Sequence, residues 1–273
     1  MDRYALLGHP VAHSKSPLIH AAFARQTNQK LTYDRILVPL DGFIESVADF
    51  FAMGGLGCNV TLPFKEEAFQ FANQLTDRAE QAGAVNTLWI DDDGVVGDNT
   101  DGIGLVRDLS RHVDLKDARV LLLGAGGAAR GAIGPLQETG VAGITIANRS
   151  LDKAQLLAER FASTSHRVQA VTLDQPGEGF DLIINATSAS IGSQHLPLPD
   201  TAFKQVHLAY DMMYAAEPTS FLKQCADAGV PQCVDGAGML VEQAAESFWH
   251  WRGVRPDTAP VLADIRATLQ QPL

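Results

Sequence analysis

The chain has little with which to cross-link, coordinate metal or enter a membrane. Only three cysteines occur in 273 residues, Cys58, Cys225 and Cys233. They are odd in number and lack CxxC spacing, so neither a disulfide framework nor a zinc site is expected, and buried thiols are the simpler reading. No apolar run approaches the ~20 residues that span a bilayer. The opening stretch, MDRYALLGHPVAHSKSP, lacks a charged region followed by an apolar one, and a cytoplasmic protein is expected. Positive charge is scarce too: 21 Lys and Arg stand against 32 Asp and Glu, a net −11. A general nucleic-acid binder needs a basic surface to neutralise phosphates, and this composition argues against one. There is no low-complexity run, and no repeat beyond an alternation of strand-like and helix-like segments.

What is present is ordinary for a globular protein. Hydrophobic residues make up 46% and charged ones 19%, and the length suits one large domain or two modest ones. The most informative stretch is VLLLGAGGAAR at 120–130. Four apolar positions run into a glycine-rich turn, and small residues follow where a helix begins, the pattern of a dinucleotide-binding βαβ unit. Gly124 makes the tight turn, Gly126 lets the backbone approach a pyrophosphate, and Ala129 stands where the helix must pack closely. Opening helix amides would then face the phosphates. After the second strand of the unit come Asn148, Arg149, Ser150 and Lys153. Two cations and a hydroxyl at that corner fit a 2′-phosphate, where NAD-binding units carry an acidic residue, so NADP is the expected cofactor. Capping by Asn148 or Ser150 is the alternative reading of that corner.

Before this loop the chain reads as four βα-like steps. Residues 4–7 form a strand, and HSKSP at 13–17 precedes an amphipathic helix with Ser16 as a candidate N-cap before Pro17. A second strand at 32–38 leads to a helix at 41–53. CNVTLPFKEEAF at 58–69 passes from strand to helix around Pro63, with Asn59, Thr61 and Lys65 at or just past the strand end, where open α/β sheets bind ligands. A lysine in a first helical turn opposes the helix dipole, so Lys65 calls for another explanation. A helix at 76–83, a strand at 84–90 and an acidic turn at 91–94 follow. Asn99, Thr100 and Asp101 then precede a helix starting near Gly102, more polar residues than capping alone explains. After the loop, strands at 120–123, 144–147 and 182–184 alternate with helices, a βαβαβ rhythm that implies a parallel sheet. Strands at 168–171, 206–210 and 232–234 are further candidates, and a long helix follows DGAG at 235–238.

Taken together, the sequence resembles the shikimate dehydrogenases over nearly its whole length. The motifs occur in family order: HSKSP at 13–17, NVTLPFKE at 59–66, AGAVNT at 82–87, GDNTDG at 97–102, GAGGAAR at 124–130, NRS at 148–150, NATS at 185–188, DMMY at 211–214 and DGAGMLVEQA at 235–244. The resemblance implies an α/β fold of two domains. One is an N-terminal α/β catalytic domain, 1–101 together with 237–273; the other is a Rossmann-type doubly wound NADP-binding domain, 102–236. Domain closure with hinges near Gly102 and Gly236 is expected.

The implied reaction is the reversible NADPH-dependent reduction of 3-dehydroshikimate to shikimate, in chorismate and aromatic amino acid biosynthesis. By the same resemblance Ser14 and Ser16 bind the substrate carboxylate with Tyr214 nearby. Asn59, Thr61, Asn86, Asp101 and Gln243 bind the ring hydroxyls, and Lys65 and Asp101 form the catalytic pair. Gly124, Ala125, Gly126, Gly127, Ala128, Asn148, Arg149, Ser150 and Lys153 contact the cofactor, along with Asp77, Met212 and Gly236. Whether Lys65 alone or the pair carries the proton stays open.

Two departures stand out: Lys153 replaces a second arginine, and Ser190 replaces a glycine. The partner implied is a small molecule, with neither nucleic acid nor membrane, and a monomer or homodimer is expected. Three other readings compete: a quinate or dual-specificity enzyme, a non-catalytic NADP sensor on the same fold, and a methylene-tetrahydrofolate dehydrogenase-like enzyme.

Overall fold

The computed structural model describes residues 1–162, 167–187 and 195–270. Ser188 and Ser190 lie outside them. The chain divides into two compact units, Met1–Gly104 with Val241–Ala267, and Leu105–Leu240 with the end of the chain from Thr268. The boundaries fall inside three helices, α5 (Asp101–Leu109), α9 (Ala237–Arg252) and the last turn of the helix Thr258–Gln270. Among the described residues no helix is long and apolar enough to cross a membrane, and no group of His, Cys, Asp or Glu is placed to hold a metal.

The first unit is built on β1 (Asp2–Gly8), α1 (Ser16–Gln26), β2 (Leu31–Leu37), α2 (Phe43–Ala52), β3 (Gly55–Val60), α3 (Lys65–Phe71), β4 (Gln74–Leu75), α4 (Asp77–Ala82), β5 (Thr87–Asp91) and β6 (Gly94–Asp98). The sheet order is β2-β1-β3-β5-β6-β4. β1 pairs in parallel with β2 and β3, whereas β5 is antiparallel to both β3 and β6. The acidic turn expected at 91–94 is thus a hairpin, since a short polar connection with a glycine at positive φ, Gly94 at +124°, reverses the strand without a crossover. Leu7, Phe43, Val47, Phe64 and Leu88 form the core on one side of this sheet.

One helix start differs from expectation. Ser16 is not the N-cap of α1 but its first residue; Lys15 occupies the cap position, and the Ser14 hydroxyl accepts the Ser16 N–H at 3.2 Å. Pro17 then falls in the first turn, where its missing N–H costs nothing. α5 starts at Asp101, next to the expected Gly102, where the Asn99 side chain accepts the Asp101 N–H at 3.2 Å.

The second unit holds β7 (Arg119–Leu123), α6 (Gly127–Glu138), β8 (Gly143–Asn148), α7 (Leu151–Phe161), β9 (Arg167–Thr172), β10 (Leu182–Asn185), β11 (Leu208–Asp211), α8 (Ser220–Asp227) and β12 (Gln232–Asp235). Its sheet, β12-β11-β10-β7-β8-β9, is parallel throughout. Both faces are covered, by one cluster around Leu122, Ile133, Ile146 and Leu157 and another around Leu121, Ile183, Phe203 and Phe221. That explains why the central strands, VLLL in β7 and LII in β10, read as unbroken apolar runs. The chain winds outward from β7 in one direction and from β10 in the other, so a crevice opens between their carboxyl ends. α10 (Thr258–Gln270) closes the described chain.

Candidate active site

In the first unit the ends of β3, β5 and β6 and the starts of α3 and α5 converge, joined by the face of α9 that carries Gln243 and Ser247. Lys65 opens α3 and sits 2.5 Å from the Asp101 carboxylate, both side chains roughly a quarter exposed. This ion pair accounts for a cation in the first turn of a helix: Asp101 compensates the unfavourable dipole. The other Asp101 oxygen accepts the Asn86 amide at 2.8 Å. Asn86 is fixed in turn, its side-chain oxygen accepting the Thr100 N–H at 2.9 Å and its nitrogen reaching Thr100 Oγ1 at 3.0 Å. Gln243 Oε1 lies 3.5 Å from both Asn86 Nδ2 and Thr100 Oγ1. α9 reaches this site because Gly104 has no side chain; a Cβ there would stand 2.7 Å from the Gln243 backbone nitrogen.

A second polar layer lies beneath. Asn59, buried, takes the Tyr33 hydroxyl on its oxygen at 2.8 Å, and its nitrogen reaches Ser247 Oγ at 2.9 Å and the Asn86 carbonyl and Thr87 Oγ1 at 3.1 Å each. Both amide hydrogens of Asn59 and one lone pair of its oxygen are therefore used within the protein. Thr87 and Ser247 hydroxyls are 2.8 Å apart, and Ser247 donates back to the Gln243 carbonyl at 3.1 Å. The Ser14 hydroxyl donates to Ser16 Oγ at 3.1 Å, while the Arg35 guanidinium holds the Ser14 carbonyl with two N–H groups.

Burial lifts the Tyr33 phenol well above its ordinary pKa, aided by the Cys58 thiol and opposed by the Ser16 hydroxyl. His20 stacks on Tyr33 with ring centroids 4.1 Å apart. Burial pushes its pKa down to about 3, and Asn59 offsets this only in part.

Lys65, Asp101, Asn86 and Gln243 are thus gathered into one cluster, with Asn59 behind it. Ser14 and Ser16 meet each other, and Thr61 stands in the turn between β3 and α3. Thr100, one of the polar residues that capping left unexplained, joins them, and Thr87, Ser247, Tyr33 and His20, which were not singled out for a site, complete the arrangement. Ser247 had one legible signal: it lies one helical turn beyond Gln243 on the same face of α9.

The second unit carries the glycine loop and its surroundings. Gly124 has φ +106°, and a Cβ there would press on Thr187 and the Ala186 carbonyl. Gly126 caps α6 in an extended conformation, and nothing lies within 4 Å of a Cβ added to Gly126 or Gly127. Ala125 and Ala128 flank them, and Ala129 is buried against the sheet. The free space, the exposed backbone and the helix N-terminus together fit a pyrophosphate.

At the end of β8 the Asn148 amide donates to the Ser150 carbonyl at 2.9 Å. Ser150 occupies the N-cap of α7 without a side-chain cap bond, so its hydroxyl is not spent on capping. Arg149, Ser150 and Lys153 are exposed there, the donor set that suits a 2′-phosphate.

Across the crevice, Asn185 and Thr219 bind opposite oxygens of buried Asp211 at 3.1 and 2.6 Å. This locks the carboxyl ends of β10 and β11 and the backbone of Met212, whose N–H goes to the Asn185 carbonyl. Gly236 packs so close that a Cβ would come within 2.2 Å of the Met212 carbonyl oxygen. Tyr214, half-buried with its phenol pKa raised by burial, belongs to this unit. Asp77, exposed in the first turn of α4, belongs to the first.

Three family models match the chain: the shikimate dehydrogenase substrate binding domain over residues 6–88, shikimate / quinate 5-dehydrogenase over 107–195, and the shikimate 5′-dehydrogenase C-terminal domain over 236–266. The NADP(+) shikimate dehydrogenase of Cupriavidus necator is 53% identical over 280 residues, covering 98% of this chain and 95% of its own. Among solved structures, an Ael1 enzyme from Pseudomonas putida superposes with a TM-score of 0.93 at 43% identity, covering all of both chains. Shikimate 5-dehydrogenase from Thermus thermophilus, in complex with NADP(H) and shikimate, superposes at 0.87 with 32% identity, covering 98% of this chain and 100% of its own.

Proposed function

The chain belongs to the shikimate dehydrogenase family, and from that premise we propose how its own residues divide the work. The protein catalyses the reversible NADPH-dependent reduction of 3-dehydroshikimate to shikimate, an oxidoreductase step at a CH–OH group. The observation that carries the assignment of chemistry is the Lys65 ammonium held 2.5 Å from Asp101 at the mouth of the first unit's sheet. When bound, NADPH supplies the hydride.

Lys65 does the acid–base work. Its ammonium donates a hydrogen bond to the ketone oxygen and passes a proton to the alkoxide as it forms; in the oxidative direction the amine takes the proton from the hydroxyl. Asp101 orients Lys65 and, with Asn86 and Gln243, accepts or donates to the ring hydroxyls. Thr61 completes this ring of contacts, and Asn59 supports it from behind. Ser14 and Ser16 present hydroxyls to the carboxylate, with Tyr214 as a third donor.

The amides at Gly124–Ala128 bind the pyrophosphate, and Asn148, Arg149, Ser150 and Lys153 bind the adenosine phosphate. Asp77, Met212 and Gly236 bound the rest of the cofactor. The functional division is 1–101 with 237–273 for substrate and 102–236 for NADP. The enzyme works in the cytoplasm as a monomer or homodimer and has no nucleic-acid partner.

The test is the absorbance change of the nicotinamide with shikimate or quinate as substrate and NADP or NAD as acceptor. NADP reduction with shikimate is the expected preferred combination, and its absence sinks the reading. Lys65→Met is expected to lower kcat by ~10³-fold or more with substrate affinity largely kept. A kcat near that of the wild type removes Lys65 from the chemistry.

A further inference from the structure

Behind the Lys65–Asp101 pair lies a set of buried charges that touches no ligand in the reading above. Asp98, the last residue of β6, has no exposed surface. One of its oxygens takes the Thr76 hydroxyl at 2.5 Å, the Asn99 N–H at 2.7 Å and Arg78 Nε at 3.2 Å; the other takes Arg78 Nη2 at 2.5 Å and faces His250 Nε2 at 3.0 Å. Arg78 uses its remaining nitrogen on Glu246 at 3.1 Å. Glu246 and Glu242 are both held by Arg255, and Thr258 donates to Glu242. His250 stacks on Trp89 with centroids 4.6 Å apart. A carboxylate this deep keeps its charge only when it is paired and hydrogen-bonded on all sides, and these partners hold the Asp98 pKa well below the ordinary carboxylate value despite burial.

Two routes lead from Asp98 to the reacting groups. By the first, the Asp98 side chain fixes the Asn99 N–H, and Asn99 Oδ1 accepts the N–H of Asp101. By the second, the Asp98 carbonyl accepts the Asn86 N–H at 3.0 Å, and the Asn86 amide holds Asp101 Oδ1. The first turn of α5 and the amide that grips Asp101 therefore share one anchor. Arg78 grips that anchor at two points, with the planar fork that a lysine lacks.

We propose that Arg78 is a positioning residue for the reaction, acting through Asp98 to hold Asp101 and Asn86 in register with Lys65. The proposal rests on the assignment of Lys65 and Asp101 as the catalytic pair. Without Arg78 the Asp98 carboxylate must gain a proton or admit water, and its grip on Asn99 and on the end of β6 loosens. A displacement of Asp101 by about 1 Å is enough to cost on the order of 100-fold in rate.

The test compares Arg78→Met, Arg78→Lys and Glu246→Gln in the full-length enzyme, with circular dichroism and thermal midpoints as folding controls. Both Arg78 variants are expected to lose kcat by ~10- to 100-fold while the dissociation constant for NADP stays within about twofold of the wild type. Glu246→Gln removes a charge from the same cluster but leaves Arg78 on Asp98. It is expected to lower the thermal midpoint with kcat within about twofold of the wild type. Where Arg78→Met does not fold, Arg78→Lys carries the test. A folded Arg78 variant with wild-type kcat overturns the proposal, and so does an equal loss of kcat in Glu246→Gln, which would make the effect one of stability. A wild type inactive on shikimate overturns the assigned function as well; an active wild type with unaffected Arg78 variants overturns only the role of Arg78.

Discussion

At the scale of single residues, the proposed recognition of NADP turns on the corner after β8. Arg149 and Lys153 are exposed and Ser150 keeps its hydroxyl free of capping, so the cations are available to a 2′-phosphate. A hydrogen bond to a charged group contributes about 1.5–3 kcal/mol, on the order of 10- to 100-fold in affinity. Arg149→Ala is accordingly expected to lower kcat/KM for NADP by that factor and to leave the value for NAD nearly unchanged. Equal losses with both cofactors, measured in one assay series, would remove Arg149 from recognition of the phosphate. The exposed position of Arg149 just after a strand was legible, because the end of β8 is marked by the apolar run before it. Asn59 was legible as a polar residue at a strand end, but not its anchoring from behind by Tyr33, Thr87, Ser247 and the Asn86 carbonyl. Those partners come from separate parts of the chain, and no local spacing relates them.

At the scale of elements, close approach of backbones sets the site. The crossing of α5 and α9 depends on Gly104, which would otherwise meet the Gln243 backbone. Alanine at a helical glycine adds up to ~1 kcal/mol of helix propensity, but overpacking at a backbone contact costs about 1–3 kcal/mol, and the clash wins. Gly104→Ala is expected to lower the unfolding midpoint and to cut kcat/KM for shikimate at least ~10-fold by displacing Gln243 and Ser247. Calorimetry and kinetics on one preparation check both, and unchanged values for both would mean that α9 does not depend on this contact.

The parallel sheet of the second unit was readable because its strands are apolar on both faces. In the first unit the hairpin of β5 and β6 and the two-residue β4 were not. A turn of a few residues can only fold straight back, but β6, GVVGD, is too short and too rich in glycine to read as the returning strand.

At the scale of the whole molecule, buried titratable groups predict how stability follows pH. His20 is neutral in the fold, its pKa pushed down to about 3, while in the unfolded chain it titrates near the ordinary 6.5. Between those values the unfolded state binds a proton that the native state refuses, so stability falls as pH drops below about 6.5, by up to ~1.4 kcal/mol per unit from this group. Asp98 acts lower down. Its folded pKa is depressed, so the stability it contributes is present above the ordinary carboxylate value and is lost as pH falls beneath it. Urea midpoints of the wild type are expected to decline from pH 7 to pH 5, and His20→Phe, which keeps the stack on Tyr33, is expected to flatten that decline. Parallel slopes for the two proteins would acquit His20. Neither group could be ranked from sequence, where a histidine in an amphipathic helix and an aspartate at a strand end say nothing of depth.

The division of the first unit between Met1–Gly104 and Val241–Ala267 also has a consequence for how the protein is made. The ribosome releases Lys65, Asn86 and Asp101 long before Gln243 and Ser247 exist. With roughly 140 residues between the two pieces and synthesis at about 5–20 residues per second, the nascent first piece waits on the order of ten seconds for the helix that completes it. During that interval the buried faces of Phe23 and His20, which α9 covers through Phe248, stand open to water and to other nascent chains. Newly made protein is therefore expected to lean on chaperones most heavily in this window, and an arrested chain ending at residue 240 should be cut by protease within residues 1–104 far more readily than the finished enzyme.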